Sequence, residues 1–245
     1  MDARIIMAEQ RYFEALKFVA NLYVKDVACF TQESLSQTLE KKTLDRLSIN
    51  IKSFIVSGIS GVGKTLLGKS TERYGFTKIP GVTTRQPRPE ESAKDYIFIS
   101  EEMFWQWQEK NRFLTYCRTN EVWHALLRNH FHLLASGEGL IYIDRSVPST
   151  IDIWKQLPPN SIDLVYLVAP SFKVLYDRIK ARESNRKNRE NSLTDDQILA
   201  RFAEETEEFR MSLSLPYVYI VNDSIERVER ILCSKRIKTS NNNNT

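Results

Sequence analysis

The chain has 245 residues, of which 42% are hydrophobic, so length and composition are those of a globular protein with a packed core. It carries 35 basic and 31 acidic residues, and this near balance gives no extended basic field of the kind that nucleic-acid-binding proteins present. No apolar run approaches the roughly 18 residues of a membrane-spanning helix, so we expect neither nucleic acid nor a membrane among its partners.

Residues 1–50 differ in composition from the rest, since they contain neither glycine nor proline. Their apolar residues recur at helical spacing, as Phe13, Leu16 and Val19 do, and this predicts a helical N-terminal extension. The acidic residues of this segment argue against a secretory signal or a transit peptide. We expect no catalytic residue within it.

The three cysteines are far apart in the sequence and form no C-x-x-C pair: Cys29, Cys117 and Cys233. This spacing argues against a disulfide scaffold and against a zinc site, and it is typical of a protein in a reducing compartment. We therefore expect structural cysteines and a cytoplasmic protein.

From Ser53 onward, short β-branched runs alternate with amphipathic stretches, a pattern typical of a mostly parallel sheet with helices on both faces. Four runs predict strands buried on both sides: residues 53–58, 140–144, 162–170 and 217–223. Helices are predicted to begin near Gly63, Ser149, Ser171 and Ile225. The predicted fold class is therefore α/β.

The segment from Phe76 to Ser136 differs from the rest of this region in its pattern of apolar and polar residues. Residues 96–100 and 112–117 resemble partly exposed strands, and they flank a helix-like stretch at residues 101–111. We interpret this segment as an inserted, mixed lobe. At the other end of the chain, the asparagine-rich residues 239–245 predict a disordered tail.

The stretch "SFIVSGISGVGKTLLGKS" places Gly58, Gly63, Lys64 and Thr65 in the pattern G-x-x-x-x-G-K-[ST], after a predicted strand and before a predicted helix. Glycines let backbone N–H groups turn toward phosphate oxygens, and the helix N-terminus adds its positive dipole end. Lys64 supplies a cation for the β- and γ-phosphates, and Thr65 can hold Mg²⁺ through its hydroxyl. The motif predicts a nucleoside triphosphate site but leaves ATPase, GTPase, kinase and mechanical roles open.

A second phosphate site is indicated by "GVTTRQPRPEESAKDYIF" in the predicted lobe. Pro87 and Pro89 stiffen the chain around Arg85 and Arg88, which holds two guanidinium groups near each other in a way that suits a phosphate monoester. Taken alone, these residues could equally form a basic, polyproline-like surface loop.

The order of "TTRQPRP", Glu91, "DYIF" and the Asn-Asp pair in "YIVND" resembles that of guanylate kinases, with nearly the same spacing. The resemblance extends from about Ser53 to Lys235, and the pattern T-T-R-x-P-R followed by an acid and D-Y is specific. It implies a P-loop kinase fold over residues 51–238, with a small monophosphate-binding lobe at residues 76–136. The polar segment at residues 183–195 is interpreted as a lid.

The resemblance also implies roles for individual residues. ATP would be bound by the loop and the Asn-Asp pair: Gly58, Ser60, Gly61, Val62, Gly63, Lys64, Thr65, Asn222 and Asp223. The monophosphate and its base would be bound by Gly81, Thr84, Arg85, Arg88, Glu91, Tyr96, Thr115, His124 and Asp144. The catalytic cations would be Lys64, Arg88, Arg182 and Arg201. Compared with the family pattern, the spacing between Glu91 and Tyr96 is one residue shorter. Glu90 is therefore an alternative candidate for the position of the family's acidic residue.

Three positions depart from the family pattern. Gly81 stands where the family usually has a serine that contacts guanine, and Thr115 where it has a glutamate. His124 aligns, in a loose register, with the second phosphate-binding tyrosine. Replacing a carboxylate by a hydroxyl gives up a charge-assisted contact, so we expect weaker affinity for GMP and weaker discrimination between bases.

Three functions follow from these residues. The first is a nucleoside monophosphate kinase that uses Mg²⁺ and ATP to phosphorylate GMP or a related monophosphate. The second is a catalytically weak binding module for phosphopeptides or proteins, although the intact Lys64 and Thr65 weigh against it. The third is a kinase for another phosphorylated acceptor, such as ribose bisphosphate.

Overall fold

The computed structural model describes residues 3–23, 31–47, 51–87, 91–119, 121–136, 141–159, 161–184 and 193–241, with the side chains of the last helix as far as Cys233. Several predicted features lie outside these residues: Arg88 and Glu90 of the acceptor loop, residues 185–192 of the lid and residues 242–245 of the tail.

The strands of the described chain are β1 (Ser53–Gly58), β2 (Thr77–Lys78), β3 (Gly81–Thr83), β4 (Tyr96–Phe98), β5 (Phe113–Thr119), β6 (Val122–Leu127), β7 (Ile141–Asp144), β8 (Asp163–Val168) and β9 (Val218–Val221). The α-helices are α1 (Ala3–Ala20), α2 (Gln32–Thr43), α3 (Lys64–Thr71), α4 (Glu101–Glu109), α5 (Phe131–Ser136), α6 (Val147–Trp154), α7 (Phe172–Ser184), α8 (Asp195–Met211) and α9 (Ile225–Asn241). None of the helices within the described ranges is long and apolar enough to cross a membrane.

Helix α9 corrects one prediction about the tail. It continues to Asn241, so residues 239–241 are helical although the sequence places them in a disordered tail. No glycine or proline interrupts the helix between Ile225 and Asn241, and so nothing in the sequence ends it earlier.

Five strands form the main sheet in the order β2–β7–β1–β8–β9, and every neighbouring pair is parallel. Parallel strands need crossover connections, which place helices on the faces of the sheet. The central strands are buried on both sides, as in β1, where residues 53–57 are all buried. This arrangement confirms the predicted α/β fold with a mostly parallel sheet.

Helices pack closely on this sheet. Tyr142 of β7 faces α3, where a Cβ atom at Gly68 would lie 1.8 Å from the tyrosine hydroxyl, so only glycine permits this approach. The ring of Tyr166 in β8 stacks on Phe209 of α8, with 4.9 Å between the ring centroids. The carboxyl ends of the parallel strands meet at one edge, which is where ligands bind in open α/β sheets.

A second, smaller sheet has the order β4–β3–β6–β5 and is mixed, since β3 is parallel to β4 but antiparallel to β6. Its own small core contains the buried residues Val82, Phe104, Phe113 and Ala125. Phe104 comes from α4, and its ring lies 4.7 Å from that of Phe113. Strand β2 falls within the predicted lobe, residues 76–136, but pairs with β7 of the main sheet.

The two N-terminal helices pack against the rest of the chain. In α1, the Tyr12 hydroxyl donates to the carbonyl oxygen of Ala169 at 3.0 Å, and the ring lies 6.4 Å from that of Phe209. Helix α2 lies along the edge strand β9, where Thr43 Oγ1 accepts the N–H of Tyr219 at 3.0 Å. Side chains of α2 thereby satisfy backbone groups that an open sheet edge would leave unpaired.

Glu40 of α2 makes another buried contact with β9. Its side chain accepts the N–H of Val221 at 2.6 Å and also pairs with the Arg227 guanidinium. We expect Glu40→Ala to lower the free energy of unfolding by about 2 to 3 kcal/mol, because a buried N–H loses its acceptor. Denaturant unfolding measures this, with Glu33→Ala on the exposed side of α2 as the matched control. A loss no larger than that of the control would show that α2 does not secure the sheet edge.

Candidate functional site

The phosphate-binding loop joins β1 to α3 at the carboxyl edge of the main sheet. Gly58, Gly61 and Gly63 have φ angles of 147°, 82° and 103°, which residues with side chains rarely adopt. Space is short as well, since a Cβ atom at Gly58 would lie 2.7 Å from the carbonyl oxygen of Leu167. Lys64 folds back over the loop, and its Nζ donates to the carbonyl oxygen of Gly58 at 2.6 Å. The loop therefore has the strand–loop–helix geometry that cradles phosphate groups.

A cavity of about 770 Å³ extends from this loop to the smaller sheet. It is lined by most of the residues that the sequence predicts for the two substrates: Gly58, Ser60, Gly61, Gly63, Lys64, Thr65, Arg85, Glu91, Tyr96, His124, Asp144, Arg182 and Arg201. The phosphate loop, the smaller sheet and helices α7 and α8 thus face one space. Lys64 of the phosphate loop and Arg85 of the smaller sheet both line this space.

The predicted Asn-Asp pair is Asn222 and Asp223, of which Asn222 packs against the phosphate loop. Asn222 is buried, and its Nδ2 donates to the carbonyl oxygen of Val62 at 2.5 Å. A Cβ atom at Gly63 would lie 2.5 Å from that same nitrogen, so the loop packs directly on this side chain. Asp223 is exposed and accepts the N–H of Ser224 at 2.6 Å. Asn222 therefore supports the shape of the loop, whereas Asp223 lies at the surface.

The two positions expected to contact the base do not line the cavity. Gly81 is buried in β3, and Thr115 is buried in β5, where its hydroxyl donates to Asp152 Oδ2 of α6 at 3.3 Å. Thr84, also predicted on the acceptor side, accepts the N–H of Trp123 at 3.0 Å and so joins β3 to β6. These three residues shape the smaller sheet and do not form the cavity wall.

Arg85, Glu91 and Tyr96 form a compact group at the acceptor end of the cavity. The Arg85 guanidinium donates to both carboxylate oxygens of Glu91, at 2.7 and 2.5 Å, and the two side chains are 18% and 3% exposed. It also lies over the Tyr96 ring, 4.9 Å from the ring centroid. Burial raises the pKa of the Tyr96 hydroxyl, which keeps this group a neutral hydrogen-bond donor. The Arg85 guanidinium is a planar cation, and its geometry is suited to the oxygens of a phosphate.

The predicted catalytic arginines of the lid side also reach the cavity. Arg182 lies near the end of α7 and donates to Glu183 Oε1 at 3.3 and 3.2 Å. Arg201 lies in α8 and donates through Nε to Glu205 Oε1 at 3.2 Å. Neighbouring carboxylates therefore hold both guanidinium groups at the cavity wall.

Glu205 is a cavity residue that sequence reasoning did not identify. Its carboxylate accepts both the N–H and the hydroxyl of Ser60, each at 2.5 Å, and the side chain is 9% exposed. A carboxylate on a loop amide of this kind occupies a position where a phosphate oxygen would accept the same N–H. The i, i+4 spacing from Arg201 was the available signal, but it could not show that Ser60, 145 residues away, is the second partner.

Glu208, one helical turn further along α8, also lines the cavity. It accepts the N–H of Val147 at 3.3 Å. Burial, with the nearby charge of Glu205 as a second cause, raises the pKa of the Glu208 carboxyl to about 7.

This raised pKa predicts a pH dependence of stability. The folded state keeps the Glu208 proton up to about pH 7, whereas the unfolded state releases it near 4.5. Stability from this group is therefore fully present below pH 4.5 and is lost as pH rises toward 7, on the order of 2 kcal/mol after allowance for partial exposure. Denaturant unfolding across this range should show the slope, and Glu208→Gln should flatten it while Glu207→Gln should not. Parallel curves for all three proteins would contradict the prediction.

The site fits a Mg²⁺ ion of the kind that accompanies phosphates. Among the described residues, no group of three His, Cys, Asp or Glu side chains could hold a metal by itself. Mg²⁺ commonly takes one or two protein ligands and completes its shell with water and substrate phosphates. Thr65 lines the cavity directly after Lys64, so its hydroxyl is suited to such a role.

Comparison with known proteins gives one consistent result. A family model described as "Guanylate kinase" matches residues 50–236. The guanylate kinase of the Aster yellows witches'-broom phytoplasma is 28% identical over 193 residues, which cover 76% of this chain and 87% of that protein. The guanylate kinase of Chlamydia caviae is 30% identical over 195 residues, covering 78% of this chain and 89% of that protein.

A solved structure gives the same result for the fold. The crystal structure of guanylate kinase from Anaplasma phagocytophilum matches with a TM-score of 0.57, covering 77% of this chain and 87% of that chain. Sequence identity to it is 17%, so this likeness shows a shared fold alone.

Proposed function

Because the chain belongs to the guanylate kinase family, we propose that it transfers the γ-phosphoryl group of ATP, with Mg²⁺, to GMP or a related nucleoside monophosphate. The observation that carries this proposal is the single cavity shared by Lys64 of the phosphate loop and Arg85 of the smaller sheet. Phosphoryl transfer needs donor and acceptor in one enclosed space, and most of its rate comes from positioning and charge.

The donor half of the site is the phosphate loop. Lys64 and the loop amides bind the donor phosphates, and the hydroxyl of Thr65 holds Mg²⁺. Bound together with ATP, the ion neutralises charge on the β- and γ-phosphates. To reach a phosphate, Lys64 exchanges its contact with the carbonyl oxygen of Gly58 for one with the ligand.

The acceptor half is the group around Arg85. Arg85 and Tyr96 bind the phosphate of the acceptor, and Asp144, at the carboxyl end of β7, faces the same space. Arg182 and Arg201 neutralise charge on the transferred group when the two halves close around it. The transfer is direct, so no covalent enzyme intermediate is required.

The proposal is tested by incubating the purified full chain with Mg²⁺ and ATP and each common nucleoside monophosphate or ribose phosphate. We expect ADP release that depends on a nucleoside monophosphate, together with the matching diphosphate as product. Transfer to a ribose phosphate alone would instead support a kinase for another phosphorylated acceptor, the third function considered above. The absence of any acceptor-dependent ADP release would contradict catalysis altogether.

One observation favours the second candidate, a catalytically weak binding module. Glu205 holds the N–H and hydroxyl of Ser60, and so it competes with a donor phosphate for the loop. We expect Glu205→Ala to tighten ATP binding about tenfold or more, because a charge-assisted competitor is removed. Titration calorimetry measures this, with the exposed Glu207→Ala as the control. Unchanged or weaker ATP binding would mean that Glu205 stabilises the loop and does not compete with the ligand.

A further inference from the structure

Arg145 is a buried cation in the acceptor half of the cavity. It follows Asp144 at the end of β7, lines the cavity and is 6% exposed. Its Nη1 donates to the carbonyl oxygen of Asp144 and its Nη2 to that of Ala125 in β6, both at 3.1 Å. Its buried Nε has no hydrogen-bond partner. A guanidinium has five N–H donors, so several remain for a ligand.

The charge of Arg145 is not balanced by an ion pair. Within the described part of the chain, no carboxylate lies within ion-pair distance of its guanidinium, whereas Arg85 is paired with Glu91. Burial lowers the pKa of the Arg145 guanidinium, and the nearby charge of Asp144 opposes this shift without forming an ion pair. A buried donor of this kind is best satisfied by an oxygen-bearing or anionic group.

Gly81 provides the space that this guanidinium fills. A Cβ atom at Gly81 would lie 2.4 Å from Nη1, 2.9 Å from Nη2 and 3.1 Å from Cζ of Arg145. The backbone of Gly81 does not have the positive φ that would by itself favour glycine, so space is the reason for this residue. The guanidinium therefore fills the space beside Gly81, the position at which the family usually has a serine that contacts guanine.

Arg145 is distinct from the phosphate-binding group around Arg85. The ring of Tyr96 lies under Arg85, and Tyr96 is the register partner of Gly81, against which Arg145 packs. The positive charges of both arginines act on the Tyr96 hydroxyl and oppose the rise of its pKa. Tyr96 thus lies beside the ion-paired guanidinium of Arg85 and the ammonium of Lys78, which is 4.5 Å from the ring centroid, and it is also close to Arg145.

We propose that Arg145 is a specificity-determining residue, whose guanidinium binds a second oxygen-bearing group of the acceptor in addition to the phosphate bound by Arg85. This inference rests on the proposed function, since it assumes a phosphorylated acceptor in this cavity. Two sources offer the required chemistry. One is the oxo edge of a 6-oxopurine, whose O6 and N7 accept a bidentate arginine, and the other is a second phosphate on a sugar.

The test compares ligands that share a phosphate but differ in the second group. Binding of GMP, IMP, AMP, ribose 5-phosphate and ribose 1,5-bisphosphate is measured by calorimetry for the unaltered protein and for Arg145→Met. We expect the substitution to weaken the binding of either GMP and IMP or ribose 1,5-bisphosphate at least tenfold. The ligand affected shows whether Arg145 binds a 6-oxo group or a second phosphate. Binding of ribose 5-phosphate and AMP, which carry neither a 6-oxo group nor a second phosphate, should change by less than about twofold.

A second variant separates binding from packing. Gly81→Ala should displace the guanidinium and cause the same selective loss, whereas adding Gly81→Ala to Arg145→Met should cause no further loss of binding. If Arg145→Met does not fold, Arg145→Lys, which keeps the charge but loses the planar fork, replaces it.

Two results would overturn the inference. Arg145→Met could weaken the binding of ribose 5-phosphate as much as that of the other ligands, or it could weaken the binding of no ligand. Both differ from failure of the proposed function, which would appear as absence of phosphoryl transfer by the unaltered protein.

Discussion

Replacing Lys64 by alanine is expected to lower the rate of phosphoryl transfer by at least two orders of magnitude. The lysine lies in the wall of the cavity beside the glycine loop, where a preorganised cation is worth on the order of 3 kcal/mol to a developing phosphate charge. The affinity for ATP should fall as well. A coupled assay of ADP release gives the rate, and calorimetry gives the affinity.

The matched control is Lys52→Ala, which removes an exposed lysine just before β1. It should leave both quantities unchanged. Because Lys64 also donates to the carbonyl oxygen of Gly58, the unfolding curve of Lys64→Ala shows whether the loop itself has been disturbed. Full turnover in a well-folded Lys64→Ala protein would exclude the phosphate-loop role of this lysine.

Replacing Arg85 by methionine should have two separate effects. The first is a loss of acceptor binding of at least a hundredfold, because the bidentate cation for the acceptor phosphate is gone. The second is a loss of stability of about 3 to 5 kcal/mol, since Glu91 would remain as a buried carboxylate without this partner. Acceptor titration and denaturant unfolding measure the two effects independently.

The double variant Arg85→Met with Glu91→Gln separates these effects. Removing the Glu91 charge as well should restore most of the stability, while acceptor binding stays lost. If the double variant regained acceptor binding together with stability, Arg85 would be a structural partner of Glu91 and not a ligand for phosphate.

Much of the main sheet could be predicted from sequence because its strands are short, apolar on both faces and separated by helical stretches. The run at residues 53–58 has the predicted bounds. Helix α6 begins at Val147, two residues before the predicted Ser149, since Pro148 is well tolerated in the first turn of a helix. Strand β3 was missed because its three residues are too short for a periodic pattern.

The site was predictable where its residues lie close together in the sequence. The glycine loop and the Arg85 group each form a local motif, and the structure brings both to one cavity. Glu205 and Arg145 carry no such motif, because their partners Ser60 and Gly81 are distant in the chain and are known only from packing. Thr115 shows the reverse case, since a motif position was predicted to face the ligand and is instead turned toward α6.

The packing of the N-terminal helices also bears on how the chain folds during synthesis. Tyr12, Thr43 and Glu40 bond to groups that follow them by 157, 176 and 181 residues. At about 5 to 20 residues added per second, these helices wait roughly 10 to 35 s for their partners to leave the ribosome. During that time α1 and α2 can cover each other's apolar faces only in part, because α7, α8 and β9 have not yet been made. The contacts of α2 with the main sheet therefore form only after β9 has been translated, and the apolar face of α2 is exposed to aggregation until then.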